Sequence, residues 1–118
     1  MIQRWCIFGP GQNPHEWTLR GVAVAVGKTI PLPGGSVIAF VEFPSDEALV
    51  AAQAVPGSMV LPSVNAPLTE LPQAARTLFA SLGVDAASGN LTNVIRRVRD
   101  KYAGAKPGEI AFDISDPH

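Results

Sequence analysis

The stretch VIAFVEFPSDEALVAAQAV, residues 37–55, contains both kinds of regular structure that this chain can form. Val37–Phe43 is rich in β-branched and aromatic residues, a composition that favours a β-strand. Ser45 then has the side chain of a helix N-cap, and residues 46–47 are acids in the first turn, where the helix dipole favours negative charge. The pattern predicts a helix over residues 45–55 directly after a strand, so it indicates a fold that combines helices with a sheet.

Four other segments have strand-like sequences. They are Ile2–Phe8, Val22–Val26, Met59–Leu61 and Ile110–Ile114. Val22–Val26 alternates Val with Ala, which suits a strand buried on both faces and ending at a Gly27 turn. Met59–Leu61 is followed by Pro62, which is typical of an edge strand. We expect a mixed or mainly antiparallel sheet of about five short strands.

The C-terminal half predicts two more helices. Thr69 is placed to cap a helix at 70–82, whose apolar residues recur at helical spacing and which ends at Gly83. LTNVIRRVRDKY, residues 91–102, has an apolar stripe formed by Leu91, Val94, Ile95, Val98 and Tyr102. The sequence therefore predicts the α+β class, one domain over 1–118, with a sheet packed by helices at about 45–55, 70–82 and 90–102.

Composition gives the next expectations. The net charge is -1 and only 16 % of the residues are charged, against roughly 25 % in an ordinary soluble domain. This shortage indicates an apolar patch on the surface, and we expect a homo-oligomer. The first residues do not resemble a signal peptide, and the longest apolar run is far too short to span a membrane. We therefore expect a cytoplasmic protein with no membrane partner.

Catalytic and metal chemistry have little support. Cys6, His15 and His118 are too few for a zinc site, and a lone cysteine excludes an intrachain disulfide. Cys6 with His15 is the thiol–imidazole pair that avoids the C-terminal residue, but a cysteine in an apolar strand is usually a buried small hydrophobe. We predict no catalytic residue, no metal and no cofactor, and the enzyme class is left open.

The 91–102 helix is the first candidate site because it holds four basic residues. Arg96 and Arg97 lie opposite the apolar stripe, and Arg99 and Lys101 flank it. Together with the 70–82 helix it resembles the helix-turn-helix of DNA-binding proteins, with Ile110–Ile114 as the start of a wing. That resemblance implies that exposed polar residues of the second helix contact nucleic acid. The anion- or partner-binding candidates are Asn93, Arg96, Arg97 and Arg99.

A second set of candidates lies near the N-terminus. Trp5, His15, Trp17 and Glu42 are pocket or interface candidates, since aromatic residues favour interfaces and Glu42 is an acid within an apolar strand. The first expectation for function is a non-catalytic binding or self-assembly module. The alternatives are a nucleic-acid-binding domain that uses the 91–102 helix, and a small-ligand binder or enzyme with a pocket near His15, Trp17 and Glu42.

Overall fold

The segment Val37–Phe43 forms a central strand of an antiparallel sheet. The computed structural model describes residues 1–84 and 89–102, and its sheet has the order β2-β3-β1-β4. The strands are β1 (Ile2–Phe8), β2 (Ala25–Pro31), β3 (Val37–Phe43) and β4 (Ser58–Val60). All the pairings are antiparallel, and β3 pairs with both β1 and β2.

The chain divides into two compact units, and the sheet lies in the first of them. The first unit, Met1–Leu61, contains the sheet together with α1 (Glu16–Leu19) and α2 (Asp46–Gln53). The second begins at Pro62 and contains α3 (Gln73–Ser81) and α4 (Leu91–Tyr102). The α+β class and the three predicted helices are confirmed, and the single-domain organisation stays a prediction.

The core of the first unit lies between one face of the sheet and the helices α1 and α2. Its strand members are Cys6, Phe8, Ala39, Val41 and Phe43. Trp17 from α1, Ala23 from the segment after it and Ala52 from α2 complete it, and Leu49 packs against it. The Trp17 ring centroid lies 4.6 Å from that of Phe8 and 5.9 Å from that of Phe43. Burying an aromatic side chain stabilises a fold by about 1.5–3 kcal/mol, so Trp17 anchors the four-residue α1 on the sheet.

The strand predicted at Val22–Val26 lies further toward the C-terminus, and the prediction that it ends in a turn at Gly27 is wrong. Residues 22 and 23 donate their N–H groups to the Trp17 carbonyl, 3.0 and 3.2 Å away, and so close the end of α1. Gly21 makes this possible with a φ of 76°, which favours glycine. β2 begins only at Ala25 and passes through Gly27 in a β-bulge.

The start of the second predicted helix also differs from the prediction. Residues 68–70 form a short 3-10 helix, and α3 begins at Gln73 rather than at residue 70. Pro72 explains the interruption, because the residue before a proline is held extended, and Leu71 has a ψ of 145°. α1 was not predicted at all. Of the five predicted strands, four are present, and Ile110–Ile114 lies outside the described residues.

Candidate functional site

The N-terminus of α4 is held by two polar side chains. Asn90 caps the helix, since its Oδ1 accepts a hydrogen bond of 3.0 Å from the Asn93 backbone N–H. The buried Thr92 hydroxyl donates to the Val64 carbonyl at 3.1 Å and also contacts the Asn65 side-chain oxygen. Both contacts of Thr92 join α4 to residues 64 and 65, near the start of the second unit. The Asn93 side chain remains exposed, as its candidate role requires.

The C-terminal turn of α4 completes the end of α3. Lys101 Nζ and the Tyr102 hydroxyl both donate to the Leu82 carbonyl, each at 2.7 Å. Leu82 is the C-cap of α3, and carbonyls at this end of a helix carry partial negative charge. Lys101 Nζ also lies 5.4 Å from the Tyr102 ring centroid. This lysine therefore supports the packing of two helices, a role that the sequence analysis missed.

The arginines of α4 have different surroundings. Arg99 donates to Asp100 on its own helix, 3.1 Å away, and its side chain is mostly buried. Arg97 is exposed and Arg96 is half-buried. Part of the positive charge of α4 is thus committed within the chain. Residues 82–90 connect the helices, a longer connection than the three or four residues of a helix-turn-helix.

Neither tryptophan lies at the surface of the single chain. Trp17 is 3 % exposed and belongs to the core of the first unit. Trp5 is 2 % exposed, and its ring meets that of Phe40 edge-on at a centroid distance of 4.9 Å. An interface around these positions must therefore be formed by other side chains. Alternation alone could not show this, because the helix that buries Trp17 was not predicted.

The pocket predicted among His15, Trp17 and Glu42 does not form from these three residues. Glu42 lies on the sheet face opposite to the Trp17 core, where Gln3 Nε2 donates to its carboxylate at 3.5 Å. His15 is exposed, and its backbone N–H donates to Asn13 Oδ1 at 3.0 Å. The three side chains do not converge, because neighbouring residues of a strand point to opposite faces.

A cleft of about 120 Å³ does open beside α1. Trp17 is one of its lining residues, whereas His15 and Glu42 are not. The others are Phe8, Gly11, Gln12, Asn13, Glu16, Arg20 and Val55. Of the three residues predicted to surround a pocket, Trp17 alone lines this cleft.

Cys6 is a member of the core of the first unit. Its side chain is fully buried, and its thiol donates to the Arg4 carbonyl, 4.0 Å from Sγ. Burial raises the pKa of the Cys6 thiol, and the positive charge of Arg4 opposes this only in part. The thiolate is the reactive form, so burial suppresses the chemistry for which Cys6 was considered with the exposed His15.

Comparison with known proteins adds no functional information: no family model matches the chain, and neither a curated protein nor a solved structure shows significant similarity to it. In the part of the chain that the structure describes, no helix is long and apolar enough to cross a membrane. Within the same residues, no group of three His, Cys, Asp or Glu side chains is arranged to hold a metal ion.

Proposed function

We propose that this chain is a non-catalytic self-assembly module in which the first unit binds a second copy. The observation that carries the proposal is the exposure of large apolar side chains in this unit, three of them in addition to Met1. Leu19 is 88 % exposed, Val50 is 62 % exposed and Val24 is 48 % exposed. Val24 belongs to the Val/Ala-rich segment at residues 22–26. Removing such surface from water favours association by about 25 cal/mol per Å².

The outer surface of the α1–α2 layer is the part of the unit that supports this proposal best. Leu19 is on α1 and Val50 is on α2, and both helices cover the same face of the sheet. The small residues Ala51 and Ala54 are also exposed near Val50. The acids of α2 are confined to its first turn. The rest of this helix can therefore approach an identical helix without like-charge repulsion, as a twofold interface requires.

The sheet edges favour association through this layer rather than through strand pairing. β2 is interrupted by the bulge at Gly27 and Lys28 and ends at Pro31, and β4 has only three residues. Short strands, bulges, lysine and proline are the devices that keep an edge from pairing with another chain. A continuous sheet across two copies is consequently a poor alternative.

The test is the molar mass in solution, measured by light scattering during size-exclusion chromatography at tens of micromolar chain. We expect wild type to have the mass of an oligomer, and Leu19→Glu and Val50→Glu to shift it toward the monomer. Thr77→Glu, on the exposed face of α3, is the matched control and should leave the mass unchanged. A monomeric wild type would overturn self-assembly, and an unchanged mass in both variants would overturn the surface.

Nucleic-acid binding by α4 is the second candidate. The exposure of Asn93 and Arg97 on one helix, with Arg96 beside them, supports it. Mixed DNA and RNA should bind wild type more tightly than Arg96→Glu/Arg97→Glu, and added salt should weaken that binding, because phosphate contacts release counterions. Lys28→Glu/Arg76→Glu has the same charge change at exposed positions elsewhere. Equal affinity of both double variants would remove this candidate.

A cytoplasmic location belongs to the same proposal. The single thiol at Cys6 is free, as in proteins of reducing compartments, where disulfides are rare. The location can be checked by fractionating cells that express the full chain with a small epitope tag. Recovery of the tagged chain with the membrane or secreted fraction would contradict it.

A further inference from the structure

The cleft beside α1 has an apolar floor and a charged rim, and we propose that it binds a small zwitterion. The ligand class is a molecule with one carboxylate and one ammonium group, such as a free α-amino acid with a small side chain. The cleft lies wholly within the first unit. This inference is independent of the self-assembly proposal, since it concerns the space between α1 and the residue 11–13 loop.

The floor of the cleft contains two aromatic rings. Phe8 and Trp17 form it, and their rings meet in a T-shaped arrangement at 63° within the core. Aromatic pairs of this geometry are favourable beyond the area that they bury. Small-ligand sites usually have such an apolar base with a few polar groups around it. Phe8 and Trp17 are themselves buried, so the half-buried Val55 offers most of the apolar contact to the aliphatic part of a small molecule.

One wall of the cleft is fixed by Gln12. Its Nε2 donates to the Pro56 carbonyl at 2.7 Å, and its Oε1 accepts from the Gly9 backbone N–H at 3.0 Å. The same Gly9 N–H also donates to the Gly57 carbonyl at 2.9 Å. A Cβ on Gly9 would lie 2.8 Å from that oxygen, so the close approach of the two loops requires glycine. The wall is formed before any ligand arrives, which lowers the cost of binding.

The rim carries one charge of each sign. Glu16 and Arg20 are exposed, line the cleft and are one turn apart on α1. A glutamate four residues before an arginine commonly forms an ion pair. Across residues 1–84 and 89–102, however, neither side chain takes part in an ion pair. Arg20 is thus open to a carboxylate and Glu16 to an ammonium group, and the Asn13 amide can donate beside them.

The cleft is small, with a volume of about 120 Å³. Its two rim charges and its apolar floor match the carboxylate, the ammonium group and a methyl-sized side chain of one small molecule. L-alanine is therefore a suitable probe, with acetate and ethylammonium as probes that each carry one of its two charges.

The experiment is a titration of the ¹⁵N-labelled full chain with these three probes, followed by NMR at low ionic strength. We expect saturable shifts of the Trp17 indole and Gly11 amide signals with L-alanine, with a dissociation constant on the order of millimolar. Acetate and ethylammonium should each bind about fivefold more weakly, the upper range for loss of one exposed ion pair. Shifts that grow linearly without saturation, or equal affinity for all three probes, would overturn the proposal.

Variants of the rim separate this site from other surface charge. Arg20→Gln and Glu16→Gln should each weaken L-alanine binding about fivefold, whereas Arg76→Gln on α3 should not change it. All three positions are exposed, so these variants keep the fold, and unchanged signals elsewhere confirm that. The titration is repeated in Val50→Glu, which carries its new charge on α2, and the same affinity is expected if the cleft acts without a second copy. Unaltered binding in both rim variants would contradict the assignment.

Discussion

The outer surface of the α1–α2 layer and the charged face of α4 use their side chains in opposite ways. On α4, Lys101 donates to a carbonyl of α3 and Arg99 pairs with its neighbour Asp100. On the first unit, Leu19 and Val50 extend into solvent. A charged helix is thus weak evidence for a partner, because its charges can serve the fold. Exposure of apolar side chains to water is energetically unfavourable, so such side chains are the better indication of an interface.

The largest expected effect is the difference in unfolding free energy between two substitutions in α1, one of a buried aromatic residue and one of an exposed apolar residue. Trp17→Ala removes the side chain that joins Phe8 to Phe43 and should lower the free energy of unfolding by about 3–5 kcal/mol. Leu19→Ala, two residues along α1, should change it by less than about 0.5 kcal/mol. Urea unfolding followed by circular dichroism measures both. Similar costs would show that α1 does not divide into a core side and an outer side.

The next effect concerns the contact between Lys101 and the end of α3. Gly83 and Gly21 share a φ of +76°, but a Cβ on Gly83 would lie 2.6 Å from Lys101 Nζ, while one on Gly21 would meet nothing within 4 Å. Alanine should cost about 1 kcal/mol of stability at Gly21, from the left-handed backbone alone. At Gly83 we expect about 2 kcal/mol, because the lysine must also leave the Leu82 carbonyl.

A double-mutant comparison isolates that lysine. In the Lys101→Met background, Gly83→Ala and Gly21→Ala should have equal costs in thermal or urea unfolding, since the displaced hydrogen bond is already absent. An undiminished difference between the two glycines would mean that Lys101 does not stabilise α3. The positive charge of Lys101 would then be available to an anionic partner.

A smaller effect is expected where Thr92 joins α4 to residues 64 and 65. Thr92→Val keeps the shape of the side chain but leaves the Val64 carbonyl without the hydroxyl, and should cost about 1.5 kcal/mol of unfolding free energy. Thr77→Val on the exposed face of α3 is the control and should be nearly neutral. An equal cost at both positions, measured in urea, would contradict a specific role for the buried hydroxyl.

The differences between these regions also explain which features of the fold could be predicted from the sequence. The stripe of α4 was predictable because five apolar residues repeat at helical spacing. The first four are buried and Tyr102 is half-buried. Val37–Phe43 was predictable because its composition suits a central strand. Such patterns are local, and local patterns determine which face of an element is buried.

The candidate sites depend on contacts that are distant in sequence. Gln12 bonds to Pro56, 44 residues away, and no periodicity marks this pair. The bond between Lys101 and Leu82 was equally hidden, although a lysine in the last turn of a helix is a weak indication of capping. Trp17 was assigned to the surface because a one-turn helix leaves no periodic pattern. Local reasoning thus identified the charged and aromatic residues but not the neighbours that define their roles.

The smallest effect tests a feature that was both predicted and observed. The Ser45 hydroxyl accepts a hydrogen bond of 3.2 Å from the Ala48 backbone N–H at the start of α2. Ser45→Ala should cost about 1 kcal/mol, and Ser45→Asp should retain most of the stability because a carboxylate caps equally well. Ser81→Ala is the control at a helix C-terminus, where the hydroxyl donates to an exposed turn. Because α2 carries Val50, a loss of oligomer in Ser45→Ala that Ser45→Asp restores would show that the exposed apolar surface depends on an intact α2.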